Sequence, residues 1–64
     1  MTVGTDVIIR DSEMPHWDGE RGRIMHLFTG RYGQQLAIIR LDKIALEVVF
    51  PVTELERVEV RDAQ

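Results

Sequence analysis

Few residues of this chain have the type and spacing for catalysis. Ser12 precedes His16 by four positions, the simplest arrangement in which an imidazole could activate a hydroxyl. Nucleophilic catalysis also needs an oriented base and an oxyanion site, and the proline-bearing stretch over 11–20 suggests neither. His16 with Asp18 and Glu20 makes a weak metal site, and a solvated loop accounts for the same residues. Gly30 and Gly33 lack the following helix that a phosphate-cradling loop requires. The chain has no cysteine, so neither a thiolate metal site nor a disulfide is open to it. The expectation is a protein without enzymatic activity and without a cofactor.

The residues suited to recognition are more numerous. His16 and Trp17 stand in the polar stretch 11–20, and Tyr32 lies between two glycines. Arg21, Arg23, Arg31, Arg40 and Lys43 are concentrated in the middle third. Residues 1–20 carry one arginine against five carboxylates, residues 21–43 five cations against one carboxylate, and residues 44–64 two cations against five. A basic block inside a chain of net charge −3 could attract an anionic partner over about one Debye length. It could equally be strands that alternate charge on a solvated face. Trp17 has two readings as well: an exposed anchor at an interface, or a lid over one end of the core. The candidate contact residues are therefore His16, Trp17, Arg21, Arg23, Arg31, Tyr32, Arg40 and Lys43.

Sixty-four residues allow one domain. A chain of this size buries only roughly 60% of its unfolded surface, so its core is marginal. An apolar fraction of 44% suits a globular domain rather than disorder. No apolar run approaches the roughly 20 residues needed to span a bilayer, and no basic segment precedes an apolar one as in a leader. A cytoplasmic protein is expected.

β-branched residues with turn signals between them predict five strands. These fall at 3–10, 21–29, 35–42, 45–50 and 57–61. The 11–20 stretch forms a long loop, Thr29–Gln34 a hairpin turn, and Asp42-Lys43 a short connection. Helical spacing of Leu36, Ile39, Lys43 and Leu46 competes with strand over 34–48. Ile38-Ile39 and Val48-Val49-Phe50 favour strand. A short 3-10 turn follows Pro51, with Thr53 as its expected cap, and the last strand alternates Arg57 out, Val58 in, Glu59 out, Val60 in. Five short strands over 1–61, with 62–64 frayed, predict a small antiparallel barrel. Its expected filling is Val7, Ile9, Ile24, Ile39, Leu41, Leu46, Val48, Phe50, Leu55, Val58 and Val60. Met25, Leu27, Ile38 and Val49 are left over as an apolar outer strip, a candidate surface for contact or self-association.

Several segments together carry a family resemblance. They are Val3-Gly4-Thr5-Asp6-Val7-Ile8-Ile9-Arg10, the Trp17 loop with Gly22, Ile39-Arg40-Leu41-Asp42-Lys43, and Phe50-Pro51 through Glu54-Leu55-Glu56-Arg57-Val58-Glu59-Val60. They resemble the SH3-like barrels, which commonly finish with a tight helical turn before a short last strand. Within that class the chain looks like two groups. One comprises photosystem I subunit IV and the ferredoxin-docking S subunit of the cyanobacterial NDH-1 complex. The other is the KOW-type module of transcription elongation factors and ribosomal proteins, whose glycine step is similar to Gly22-Arg23-Ile24. The first resemblance implies docking on a larger protein assembly or an acidic electron carrier, through Arg23, Arg31, Arg40 and Lys43. The second implies nucleic acid or the transcription and translation machinery. The chain departs from the first group in its acidic balance and its short connection after Lys43. Its 11 carboxylates oppose the phosphate neutralisation on which nucleic-acid affinity rests.

Overall fold

Asp6-Val7-Ile8-Ile9 holds three consecutive apolar β-branched residues, which suit a pleated strand. The computed structural model describes residues 1–10 and 15–58. It forms this segment as β1 (Asp6–Ile9), with Val7 and Ile9 fully buried. Four further strands follow: β2 (Arg21–Thr29), β3 (Gln35–Leu41), β4 (Glu47–Pro51) and β5 (Leu55–Arg57). All neighbours are antiparallel in one sheet of order β4-β3-β2-β1-β5. The fold is all-β, as expected, and the competing helix over 34–48 is absent. β2 has the expected bounds. β1 starts only at Asp6, because Val3-Gly4 make a turn. β3 ends at Leu41, and β4 runs from Glu47 through Pro51.

Two 3-10 turns complete the described chain, at Pro15–Trp17 and Val52–Glu54. The second leads directly into β5, as expected. It carries the chain from one edge of the sheet to the other, since β4 and β5 are the outer strands. Phe50 from β4 and Leu55 from β5 nevertheless share one core with Val7, Ile9, Ile24, Ala37, Ile39 and Leu41. A single sheet can bring both edges to one core only by curling around it. No ladder joins β4 to β5 among the described residues, so the curl stops short of a hydrogen-bonded barrel. Burial of each large aliphatic side chain contributes about 1.5–3 kcal/mol.

Several expectations about packing are corrected. Leu46 is 47% exposed rather than internal. The β3–β4 connection extends beyond Asp42-Lys43, and Ala45 takes a left-handed φ of 52° that turns the chain before β4 begins. Thr53 does not cap the second 3-10 turn. Pro51 occupies the cap position and no side chain caps the turn, because Thr53 lies inside it, one residue past its start at Val52. β5 lies earlier than the expected 57–61, because Leu55 pairs with Ile9 directly after the turn. Val58 follows the strand, half-buried, and donates its N–H to the Asp6 carbonyl at 2.9 Å. Glu59, Val60 and the 62–64 tail lie outside the described residues.

Leu27 also changes place. Ile24 pairs with Ile39, but His26 pairs with Ile38, so Met25 is an extra residue bulging from β2. A bulge shifts the side-chain alternation by one. Before it Gly22 and Ile24 point inward; after it Leu27 does, packing against the core beside Ala37. Leu27 therefore leaves the expected outer strip. Ile38 and Val49 remain on the outer face, joined by Phe28, Leu36 and Pro51 through the Phe28–Leu36 and Leu36–Pro51 pairs.

Candidate functional site

The antiparallel register sorts the basic block by position. Arg21 pairs with Ile8, Arg23 with both Asp6 and Arg40, and Arg40 with Glu47. Residues directly opposite on neighbouring strands share a face. The outer face therefore carries one continuous row, Asp6–Arg23–Arg40–Glu47, across four strands. Arg23 Nε donates to Asp6 Oδ1 at 3.1 Å. Arg10 Nε, just after β1, likewise donates to Glu56 Oε1 of β5 at 2.8 Å. Both pairs are exposed. Among the described residues, Arg21, Arg31, Arg40, Lys43 and Arg57 make no ion pair.

Two hollows open beside this row. The first, of about 390 Å³, is lined by Asp6, Val7, Arg21, Gly22, Arg23, Asp42 and Val58. The second, of about 500 Å³, is lined by Arg23, Met25, Arg40, Leu41, Asp42 and Ala45. Arg23 and Asp42 belong to both. The Asp42 N–H donates to the Arg21 carbonyl at 2.9 Å, which brings the turn bearing Lys43 against the start of β2. Arg21, Arg23, Arg40 and Lys43 thus gather at one end of the sheet.

Arg31 and Tyr32 do not join them. Both sit in the β2–β3 hairpin turn, where Gly33 takes a φ of 84° and the Tyr32 N–H donates to Gln34 Oε1 at 2.9 Å. Thr29, the last residue of β2, is six residues beyond Arg23, about 20 Å along an extended strand. Tyr32 is 86% exposed and stands at the far tip.

His16 and Trp17 divide between surface and interior. Their ring centroids are 4.5 Å apart at 45°. His16 is exposed, whereas Trp17 is half-buried and packs against the core. The turn is held to β1 through Gly19 N–H to the Ile9 carbonyl at 2.8 Å and Ile9 N–H to the Glu20 carbonyl at 3.0 Å. Trp17 therefore packs against the core while part of its side chain stays accessible. Ser12 lies outside the described residues. No group of three His, Asp or Glu side chains suited to a metal ion occurs among the described residues. None of their helical turns is long and apolar enough to cross a membrane.

Sequence reasoning missed Asp6, Asp42 and Glu47 at this site, because they belong to segments read as acidic or as connections. Only the strand register places them against the basic block. Comparison of the chain with protein families, curated proteins and solved structures finds no match.

Proposed function

We propose that this chain is a non-catalytic docking module that binds a larger protein through the end of the sheet around Arg21, Arg23 and Lys43. The observation that supports this reading is the mixed character of that surface. Two arginines and two aspartates line a single hollow together with the half-buried Val58. Arginine mixed with carboxylate and apolar surface suits a protein partner. A nucleic-acid backbone asks for cations without interspersed carboxylates. Arg21 and Lys43, which make no ion pair among the described residues, are the groups left to meet carboxylates of a partner, such as an acidic electron carrier or a subunit of an electron-transfer complex. The resemblance to SH3-like docking subunits points the same way.

Chemical-shift mapping tests the reading. Titration with an acidic ferredoxin-type carrier should perturb Arg21, Gly22, Arg23 and Lys43. Arg21→Glu with Lys43→Glu should weaken that binding by at least about tenfold. Shifts confined to residues 47–58 would overturn the assignment of the surface. Binding of single-stranded or duplex oligonucleotides with a steep salt dependence would replace the protein partner with a KOW-like, nucleic-acid one.

A further inference from the structure

The outer face of β3 and β4 has a feature that the docking reading does not use. Arg40 and Glu47 stand directly opposite one another, a placement that favours an ion pair. Yet neither makes one among the described residues. On Arg40's other side is Arg23, a like charge whose Nε is already committed to Asp6. Below this charged pair the same face of β3 and β4 is apolar. Ile38 pairs with Val49 and Leu36 with Pro51, and on the neighbouring β2 the exposed His26 stands beside Ile38 and Phe28 beside Leu36. Val49 is 46% exposed and Phe28 40%.

We infer that this face is covered by a second copy of the chain, packed face to face about a two-fold axis that runs parallel to the strands between β3 and β4. Such an axis exchanges the two strands. Arg40 of each copy then faces Glu47 of the other, and Ile38 faces Val49, with Leu36 against Pro51. An adjacent cation and anion on neighbouring strands are self-complementary under this rotation, which is what an isologous interface requires. A partner of one charge sign would satisfy only one of the two groups. The footprint is two strands wide and three residues long, well below the roughly 800 Å² per subunit of a standard interface. The dimer is therefore weak and forms at high concentration. Arg21 and the first hollow lie on the β1 side, outside the footprint, so this inference and the docking function stand or fall separately.

Sedimentation equilibrium and concentration-dependent NMR line widths test the dimer, with circular dichroism to establish that each variant is folded. The wild-type chain should associate reversibly below about 1 mM. Arg40→Glu alone and Glu47→Arg alone should each remain monomeric, since every cross-contact becomes like-charged. Their equimolar mixture should dimerise again. In the mixed pair both carboxylates at positions 40 and 47 belong to one variant and both guanidinium groups to the other, so every cross-contact is again between opposite charges. A wild-type chain monomeric at about 1 mM, or a mixture that stays monomeric, overturns the inference. Val49→Lys should abolish association without changing the fold, and a Val49→Lys chain that still dimerises overturns it too.

Discussion

Gly22 lies so close to Ile39 that a β carbon on it would come 2.5 Å from Ile39 Cγ2 and 2.6 Å from the Arg40 carbonyl oxygen. The backbone of β2 can approach β3 here only because position 22 has no side chain. Gly22 stands between the buried Val7 and Leu41 on the neighbouring strands. Gly22→Ala should cost about 1–3 kcal/mol, the usual penalty for overpacking a filled core, measured by urea denaturation. A loss below about 0.5 kcal/mol would show that the strands separate more easily than the structure indicates.

The bulge at Met25 makes a second prediction, on the two faces of one sheet. Leu27→Ala should cost about 1–2 kcal/mol, less than the 2–5 kcal/mol of a fully buried leucine because Leu27 is half-buried. Val49→Ala, on the exposed face, should change stability by no more than about 0.5 kcal/mol. Equal costs for the two substitutions would contradict the bulge.

The bulge also marks the limit of what could be read without a structure. The Arg21–Thr29 strand was legible because its ends are set by local turn residues, Gly19-Glu20 and Gly30. Its inward face was not, because Met25 through Phe28 offer apolar residues on both sides, and only the pairing with β3 decides between them. Ala37 was missed as a core residue for the same reason: its small side chain is buried by Leu27 and Phe50 across the sheet, not by its own neighbours. Leu46 misled in the opposite sense, as an apolar residue that the turn at Ala45 leaves outside. The candidate site was half legible. The cations were evident from composition, whereas Asp6 and Glu47 come from other segments and only the register sets them beside Arg23 and Arg40. Arg31 and Tyr32, close to the other cations in sequence, are carried to the far tip by the length of β2.

Ala45 holds a φ of 52°, a region that costs a residue with a β carbon about 1–2 kcal/mol. Ala45→Gly removes that strain but adds freedom to the unfolded chain, a cost of about 0.4–1 kcal/mol. The net result should be a small stabilisation of up to about 1 kcal/mol, seen as a higher denaturation midpoint at unchanged slope. A lower midpoint would mean that Ala45 adopts another conformation.

Trp17 is the single tryptophan of the chain, which makes its packing directly observable. Its fluorescence emission should lie to the blue of that of free tryptophan and shift to the red on unfolding. Trp17→Ala should cost about 2 kcal/mol, below the 3–5 kcal/mol of a fully buried aromatic. Emission already at the free-tryptophan wavelength in the native protein would count against its packing on the core.

The Arg23–Asp6 pair is exposed on both sides, with side chains 60% and 46% accessible. Surface pairs of this kind contribute about 0–1 kcal/mol and are screened by salt. Asp6→Asn should therefore cost less than about 1 kcal/mol, and the difference from wild type should vanish at high ionic strength. A larger, salt-insensitive loss would indicate that Asp6 supports the backbone of β1 rather than the arginine.

The pairing of β5 with β1 has a consequence for synthesis on the ribosome. Arg10 and its partner Glu56 are 46 residues apart, and β1 meets β5 only through such distant contacts. A nascent chain can assemble the β2–β3 hairpin and add β4 as it emerges, because those contacts are local. The free side of β1 must wait until residue 57 has left the exit tunnel. Until then its unpaired edge and the apolar Val7 and Ile9 stay open to other chains. Completion of the sheet on the β1 side thus comes last along the described chain, with β5.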